Sequence, residues 1–287
     1  VGPEDGIVVP GVLRSASDHG LAVEELDAPA VERRFPGFEL PESHRAVFEE
    51  RAGILRVEAC VLAQLADAQE SGAELRTQEQ VLGLELEDDA VLVRTTRGSL
   101  RARRAVVTAG PWAGEVLAEL GLPLQVLRKS LFWFETGESC YQQRCGAPAF
   151  FFETSDGMYY GFPAVDGDGV KVAEHTGGSP VSDPLEVDRE VRPEEEQRLR
   201  AFLASHLPGV RGRRTRHEVC LYTKSPDEHF FLGAVPSAPQ LLVAAGLSGH
   251  GFKFVPSLGE HLAELALERS PHLDCEFLAL GRELSPS

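Results

Sequence analysis

The chain has 287 residues, with 28 lysines and arginines against 45 acidic residues and a formal net charge of −17. That balance argues against nucleic-acid binding, which calls for a basic face, and otherwise bears mainly on solubility. With 43% hydrophobic and 25% charged residues, the composition is globular and the length suffices for a sizeable core, in one large domain or two interleaved ones.

Residues 2–20 open with a turn and a short amphipathic segment. A strand-like LAVEEL and a helix starting at Asp27 or Ala28 and stopping before Pro36 follow. From Arg51 the pattern changes. VEACVLAQLADAQESGAEL has apolar residues at helical spacing to Gly72 and leads to a strand ending near Thr77. Three or four short strands come next, with turns at residues 87–89 and 97–98. The last, residues 105–108, is nearly all apolar, as a strand buried on both faces would be. It meets Gly110 and Pro111, and a helix is expected from Trp112 to about Leu120. This order is that of the second half of a dinucleotide-binding fold, which makes residues 108–112 a candidate cofactor edge.

Residues 123–181 read as an antiparallel region, with strands in LRKSLFWFE, PAFFFET, MYYGFPAV and VKVAEH. Alternation puts Lys171, Ala173 and His175 on one face, with Tyr160 on the preceding strand. PEEEQRLRAFLASHLPG is a scaffold helix with Pro193 near its start. HEVCLYTKSPDEHFFLG reads as strand, turn and strand. LLVAAGLSGHGFKF then runs a short buried strand into three glycines and a lysine, and VPSLGEHLAELALE supplies a helix. The pattern switches near residues 36, 121 and 221.

Gly246, Gly249 and Gly251 allow close backbone approach to a ligand, and the helix N-terminus after them favours negative charge; a tight strand-helix turn needs the same glycines. Lys253, between Phe252 and Phe254, is in an apolar setting that calls for an anionic partner or an escape to solvent. Cys220 alone reads as a small buried hydrophobe. Asp227, Glu228 and His229 read as a solvated or hydrogen-bonded turn rather than a metal site, and no metal set, GxSxG or paired-carboxylate arrangement stands out. The five cysteines, Cys60, Cys140, Cys145, Cys220 and Cys275, are scattered, so neither a disulfide framework nor structural zinc is expected, and a reducing cytoplasm is. No apolar run has membrane-spanning length, and no leader pattern opens the chain.

VVTAGPWAGEVL, MYYGFP, VKVAEH, CLYTKSPDEHF and VAAGLSGHGFKF, in that order, resemble the monomeric sarcosine oxidase and N-methyltryptophan oxidase family of D-amino-acid-oxidase-like flavoproteins, which includes the peroxisomal sarcosine/pipecolate oxidases. The resemblance covers essentially the whole chain. It implies an α/β (α+β) fold in which a Rossmann-like FAD-binding domain is interleaved with an antiparallel-sheet substrate domain. The expected segments are substrate domain at 1–35, FAD-binding domain at 36–120, substrate domain at 121–220 and FAD-binding domain at 221–287.

It further implies FAD carried on Cys220 as a thioether, Lys171 promoting reaction with oxygen, and Lys253 pairing with the substrate carboxylate. Tyr160, His175 and Tyr222 match substrate-pocket residues; Gly249, His250 and Gly251 match the loop against the flavin ring. Val81, Thr108, Ala109, Gly110, Trp112, Gly246 and Phe252 complete the expected cofactor contacts. The reaction implied is oxidation of a secondary amino acid such as sarcosine by oxygen, giving an imine and hydrogen peroxide, by a monomer with Cys220, Lys171 and Lys253 serving one site. The family's N-terminal GxGxxG unit and the arginine-bearing segment after it have no counterpart in this chain, and Val at position 1 favours removal of that first strand-helix-strand unit. The ending GRELSPS is not an SKL-type peroxisomal address. Two alternatives accompany this reading: a glycine-oxidase-like enzyme with non-covalent FAD, and a non-catalytic fragment serving as an interaction module.

Overall fold

A computed structural model describes residues 1–284, so the reading of the C-terminal ending falls partly outside the described residues. The chain opens with β1 (Gly2–Pro3) and α1 (Val8–His19). The free amides of Ile7 and Val8 at the start of α1 donate to the Glu153 carboxylate at 2.7–3.0 Å, a cap supplied from elsewhere in the chain. β2 (Glu24–Leu26) leads to α2 (Ala28–Arg34), whose N-cap Asp27 accepts from the Ala30 amide at 2.8 Å. β3 (His44–Phe48) pairs antiparallel with both β1 and β2.

Next come α3 (Val57–Glu70), β4 (Val81–Leu86), β5 (Val91–Thr95), β6 (Gly98–Ala102) and β7 (Ala105–Val107). The expected strand ending near Thr77 does not form; residues 73–77 carry no regular structure and pair with no strand among the described residues. The expected helix from Trp112 breaks into a turn at Gly110–Trp112, a single helical turn α4 (Ala113–Val116) and a second tight turn at Ala118–Leu120, ended by Gly121 at φ 59°. β8 (Gln125–Phe134), β9 (Phe150–Thr154), β10 (Gly157–Phe162), β11 (Val170–Glu174) and β12 (Ser179–Pro180) precede α5 (Pro193–His206). The chain closes with β13 (Arg214–Lys224), β14 (Phe231–Val235), β15 (Ala238–Ala245), a turn at Phe252–Phe254 and α6 (Val255–Ala266). No helix among the described residues is long and apolar enough to cross a membrane.

These elements fall into two units. The first comprises Val1–Ile54, Arg128–Ser179 and Asp188–Cys220; the second comprises Leu55–Leu127, Pro180–Val187 and Leu221–Ser287. The first passage of the chain therefore falls after Ile54, where a switch near residue 36 was expected: β3 pairs with β1 and β2 and holds residues 44–48 in the first unit.

In the first unit β8, β11, β10 and β9 run in that order, each antiparallel to the next, and β13 pairs with the other side of β8. Phe132, Phe134, Phe152, Tyr159, Val170 and Val172 are buried on one face, against Leu199, Phe202 and Leu203 of α5. Gly161 lies beneath that packing; a Cβ there would fall 2.3 Å from both the Lys171 carbonyl oxygen and the Phe150 ring. Arg128, 2% exposed, ties the sheet to the approach to α5. Its guanidinium donates to the carbonyls of Asp188 and Glu190 and, at 2.7 Å, to the Glu195 carboxylate, which also accepts from the Ser130 hydroxyl.

In the second unit β4, β5 and β6 form an antiparallel sheet, and β14, β15 and β7 form another in which β15 and β7 are parallel. β15 is buried on both sides: Leu241, Val243 and Ala245 face a cluster with Val107, Ala113 and Leu117, and Leu242 faces Phe230, Leu232 and the α6 residues Leu258 and Leu262. β7 differs from its expected burial on both faces. Val106 is 45% exposed, because β15 is its pairing partner on one side only and the clustered apolar residues cover one face. α3 likewise has no buried residue, and Leu62 is 67% exposed.

Replacing Arg128 with Met leaves the Glu195 carboxylate and two carbonyls without their donor. Loss of about 3 kcal/mol of unfolding free energy is expected at neutral pH. Burial pushes the Glu195 carboxyl up, but hydrogen bonds from Ser130 and Arg128 outweigh it and hold the group below its usual range. A depressed carboxyl stabilises the fold above the unfolded-state value and loses that contribution as pH falls through the folded value. The deficit of the variant, measured by denaturant unfolding against pH, should therefore narrow below about pH 4.

Candidate functional site

Strand alternation sorts the first unit's sheet into two chemically different faces. β11 places Lys171 and Ala173 opposite the buried Val170 and Val172, and pairing fixes what lies beside them: Trp133 and Phe162 flank Lys171, and Tyr160 flanks Ala173. The ladder continues one residue further, since the His175 amide donates to the Met158 carbonyl at 2.6 Å. The His175 ring meets Phe151 edge-on at 5.6 Å and Tyr160 at 6.4 Å between centroids. The Lys171 ammonium lies 4.8 Å from the Phe162 ring centre and 5.2 Å from that of Trp133. These ring faces attract the cation.

β13 adds the thiol. Arg216 lies over the Trp133 ring at 4.8 Å, while His217 packs at 4.7 Å on Phe132 of the core face. Alternate residues 216, 218 and 220 therefore share the face of Lys171, which brings Cys220 to it. Cys220 is half-buried and free. Burial pushes its thiol up, and the charges of Lys171 and Lys129 pull against that.

Lys129 is the residue that sequence reading missed. Alternation from Trp133 puts it on this same face of β8, 5% exposed, with its ammonium donating to the Thr176 carbonyl at 2.5 Å and the Gly177 carbonyl at 3.3 Å. In LRKSLFWFE it is one of two adjacent cations with no mark of depth. Only its spacing of four from Trp133, hence the same face, could have singled it out.

The second unit supplies a different arrangement. Because β7 and β15 are parallel, with Val107 opposite Val243, the loops at their carboxyl ends emerge side by side. One is Thr108, Ala109 and Gly110, with Gly110 at φ 53° and Trp112 39% exposed; the other runs from Gly246 to Gly251. Gly246 and Gly249 have φ of 66° and 82°, and a Cβ on Gly249 would fall 2.2 Å from the buried ring of Tyr222. Ser248, 1% exposed, pins the loop: its amide donates to the Thr223 carbonyl and its hydroxyl to that of Gly246.

The His250 imidazole lies 5.1 Å from the Phe230 ring, and its Nδ1 donates to the Ser248 carbonyl at 3.2 Å. Burial lowers its pKa, so the ring is neutral near pH 7. Lys253 proves exposed on the turn Phe252–Phe254, its ammonium 5.4 Å from the Phe254 ring; the apolar setting read from its neighbours is a surface one. Val81 is 39% exposed at the start of β4, in the other sheet of this unit. Of the solvated or hydrogen-bonded turn expected at Asp227, the hydrogen-bonded form is found: its carboxylate accepts from the His229 amide at 3.1 Å and pairs with Arg282 at 2.9 Å.

A family profile described as FAD dependent oxidoreductase matches residues 10–265. Monomeric sarcosine oxidase of Bacillus sp. (strain B-0618) is 37% identical over 286 residues, spanning 98% of this chain and 73% of that protein. N-methyl-L-tryptophan oxidase of Salmonella agona (strain SL483) is 35% identical over 293 residues, spanning 98% and 75%. Among solved structures, the open form of NikD, an unusual amino acid oxidase essential for nikkomycin biosynthesis, superposes with a TM-score of 0.79 at 28% identity, covering 94% of this chain and 72% of that one. Glycine oxidase from Geobacillus kaustophilus shares the fold, with a TM-score of 0.81 at 19% identity over 99% and 74%. The chain belongs to the DAO family of FAD-dependent oxidoreductases. The resemblance read from its segments, and the mixed helix-and-sheet fold expected from it, are borne out.

The loop at Gly249 offers a test. Gly249→Ala combines positive φ with a clash on Tyr222 and should cost about 2 kcal/mol or more, against about 1 kcal/mol for Gly121→Ala, where φ is also positive but a Cβ meets nothing within 4 Å. Denaturant unfolding of both variants separates ring contact from backbone strain.

Proposed function

We propose that this protein catalyses FAD-dependent oxidation of a secondary, N-methyl amino acid by oxygen, giving an imine and hydrogen peroxide. The observation that carries the reading is the single sheet face holding Cys220, Lys171, His175 and Tyr160. The similarity to monomeric sarcosine oxidase and N-methyl-L-tryptophan oxidase supports this choice of substrate. A glycine-oxidase-like alternative draws only on a shared fold at 19% identity.

The residues present suit FAD. Paired loops beyond parallel strands, with glycines at positive φ, leave main-chain room for a dinucleotide and its ring. A half-buried thiol beside ammonium groups suits a thioether to that ring. In this reading the second unit is the FAD-binding part, holding the cofactor with Thr108, Ala109, Gly110, Trp112, Gly246, Gly249, His250, Gly251, Phe252 and Lys253, and with Val81 as a further contact. The first unit is the substrate-binding part and contributes Cys220 as the covalent attachment. FAD supplies the two-electron oxidation of the carbon–nitrogen bond.

The chain's own contribution is positioning and charge. Tyr160 and His175, on one sheet face, orient the amine, and Tyr222 is a further substrate-pocket residue in this reading. The exposed ammonium of Lys253 pairs with the substrate carboxylate. Lys171, whose ammonium lies against the Trp133 and Phe162 rings, stabilises negative charge as oxygen is reduced. Five free cysteines support placing the protein in the reducing cytoplasm, and the similarity to monomeric sarcosine oxidase supports a monomer.

Acid precipitation of the protein as encoded by the complete gene should give a yellow pellet, and Cys220→Ala a colourless one. A colourless wild-type pellet, or a yellow variant one, would sink the covalent assignment. Lys253→Met should raise KM about 10- to 100-fold with a smaller effect on kcat, as expected for a lost carboxylate partner. Lys171→Met should slow the oxygen-dependent half-reaction about 100-fold or more in stopped-flow traces while sparing substrate oxidation.

A further inference from the structure

Ser248 stands in the middle of the loop 246–251, 1% exposed and at a φ of 49°. A residue with a side chain keeps that left-handed conformation only where its surroundings hold it there, and such positions gather at functional sites. Hydrogen bonds hold Ser248 on several sides. Its amide donates to the Thr223 carbonyl at 2.9 Å, its hydroxyl donates to the Gly246 carbonyl at 3.0 Å, and its Oγ accepts from the Ser225 amide at 3.3 Å. Ser225, 3% exposed, reaches Ser248 from outside the loop, and the two hydroxyl oxygens lie 3.4 Å apart.

Ser225 is itself held from further along the chain. Its hydroxyl donates to the His229 carbonyl at 2.6 Å, and the same carbonyl accepts from Arg282 at 3.1 Å. The Arg282 guanidinium forks onto the two Asp227 carboxylate oxygens at 2.9 and 3.0 Å, and Asp227 in turn accepts from the His229 amide at 3.1 Å. The Arg282 and Asp227 side chains are 9% and 5% exposed, and the guanidinium lies 4.2 Å from the Phe231 ring centre. Hydrogen bonding from Arg282 holds the Asp227 carboxyl below its usual range, so the pair is charged at neutral pH. An ion pair this deep keeps a fixed geometry, since either partner alone would be a buried charge. Every member of the set lies in the second unit.

We propose that Arg282 and Asp227 are positioning residues for the loop 246–251: through the His229 carbonyl and Ser225 they hold Ser248 in its left-handed conformation, and so set the shape of the loop. The functional consequence rests on the reading above that places FAD against this loop; the effect on Ser248 is a property of the chain alone. The His229 carbonyl is the link that separates positioning from mere fastening. It takes one hydrogen bond from Arg282 and one from Ser225, so displacement of the first donor is passed to the second. The same groups also border the first residue of the loop. A Cβ on Gly246 would lie 3.5 Å from the Ser225 Cβ and 3.4 Å from the Phe231 ring that Arg282 covers.

The test uses the full-length protein carrying Cys220→Ala, so that FAD exchanges freely. Arg282→Gln removes the charge and the fork. Asp227→Asn keeps an acceptor for the His229 amide and drops the charge, and Ser225→Ala breaks the relay while leaving the ion pair in place. Amide hydrogen exchange of the flavin-free form, read by mass spectrometry, should quicken about 10-fold in the peptide covering residues 246–251 in all three variants, with the α5 and α6 peptides unchanged. Arg282→Gln combined with Asp227→Asn should do little more than either alone, since the two act as one unit. FAD, titrated by its fluorescence, should bind about 3- to 10-fold more weakly to each variant than to the parent. Gly121→Ala, which strains the same unit away from the pair, should leave both readings at the parent's level. Unchanged loop exchange in Asp227→Asn and Ser225→Ala overturns the proposal. So does an acceleration shared equally by α6, since that reports a loosened unit rather than a released loop. Should Arg282→Gln fail to fold, Ser225→Ala gives the same decision with the ion pair intact. A parent protein that binds no FAD removes the cofactor reading instead, and leaves the loop's exchange to decide the role of Arg282 and Asp227.

Discussion

The two-residue period of β11 and its neighbours is the constraint on which the first unit depends. Val170 and Val172 go into a phenylalanine-rich core while Lys171 and Ala173 face away from it, and the pairing carries this division across β8 and β10. A register slip of one residue would exchange the two sets, putting ammonium groups against Phe132 and Phe202 and valines on the reactive face. The core therefore does more than stabilise. Its demand for apolar side chains at every second position is what fixes the polar set, and Gly161, with no room for a Cβ, lets the strands and the Phe150 ring close up around that register.

In the second unit the equivalent constraint is the parallel pair β7 and β15. Parallel pairing aligns two carboxyl ends, so the loops after them must emerge together whatever their sequence. The residues in those loops then answer to the backbone. Gly246 and Gly249 adopt positive φ, Ser248 is fixed by its own hydrogen bonds, and Tyr222 occupies the space where a Gly249 side chain would stand. The loop is held by contacts within the chain.

Much of this was legible from local pattern. The Asp27 cap, the positions of β8 to β11 and α5, and the shared face of Lys171 and His175 all follow from spacing of two or of three to four residues. What was not legible depended on partners distant in the chain. Residues 73–77 have a strand's composition but no neighbour to pair with among the described residues; Val106 looks like an interior residue but is 45% exposed. Asp227 read as part of a solvated or hydrogen-bonded turn, with the choice left open because its partner, Arg282, lies 55 residues away. Lys129 escaped notice for the same reason: its depth is decided by the carbonyls of Thr176 and Gly177.

How the cations on the reactive face are held bears on what they can do. A carboxylate partner would satisfy an ammonium and also cancel its field. Arg128, on the opposite side of β8, is tied to Glu195 in this way and acts as a structural staple. Lys171 lies against two aromatic rings, and the Lys129 ammonium donates to two carbonyls. Such contacts offset part of the cost of burying a cation. Adjacent residues on one strand, Arg128 and Lys129, thus project to opposite faces, Arg128 to the Glu195 carboxylate and Lys129 to the carbonyls of Thr176 and Gly177. The alternation of β8 is what separates them.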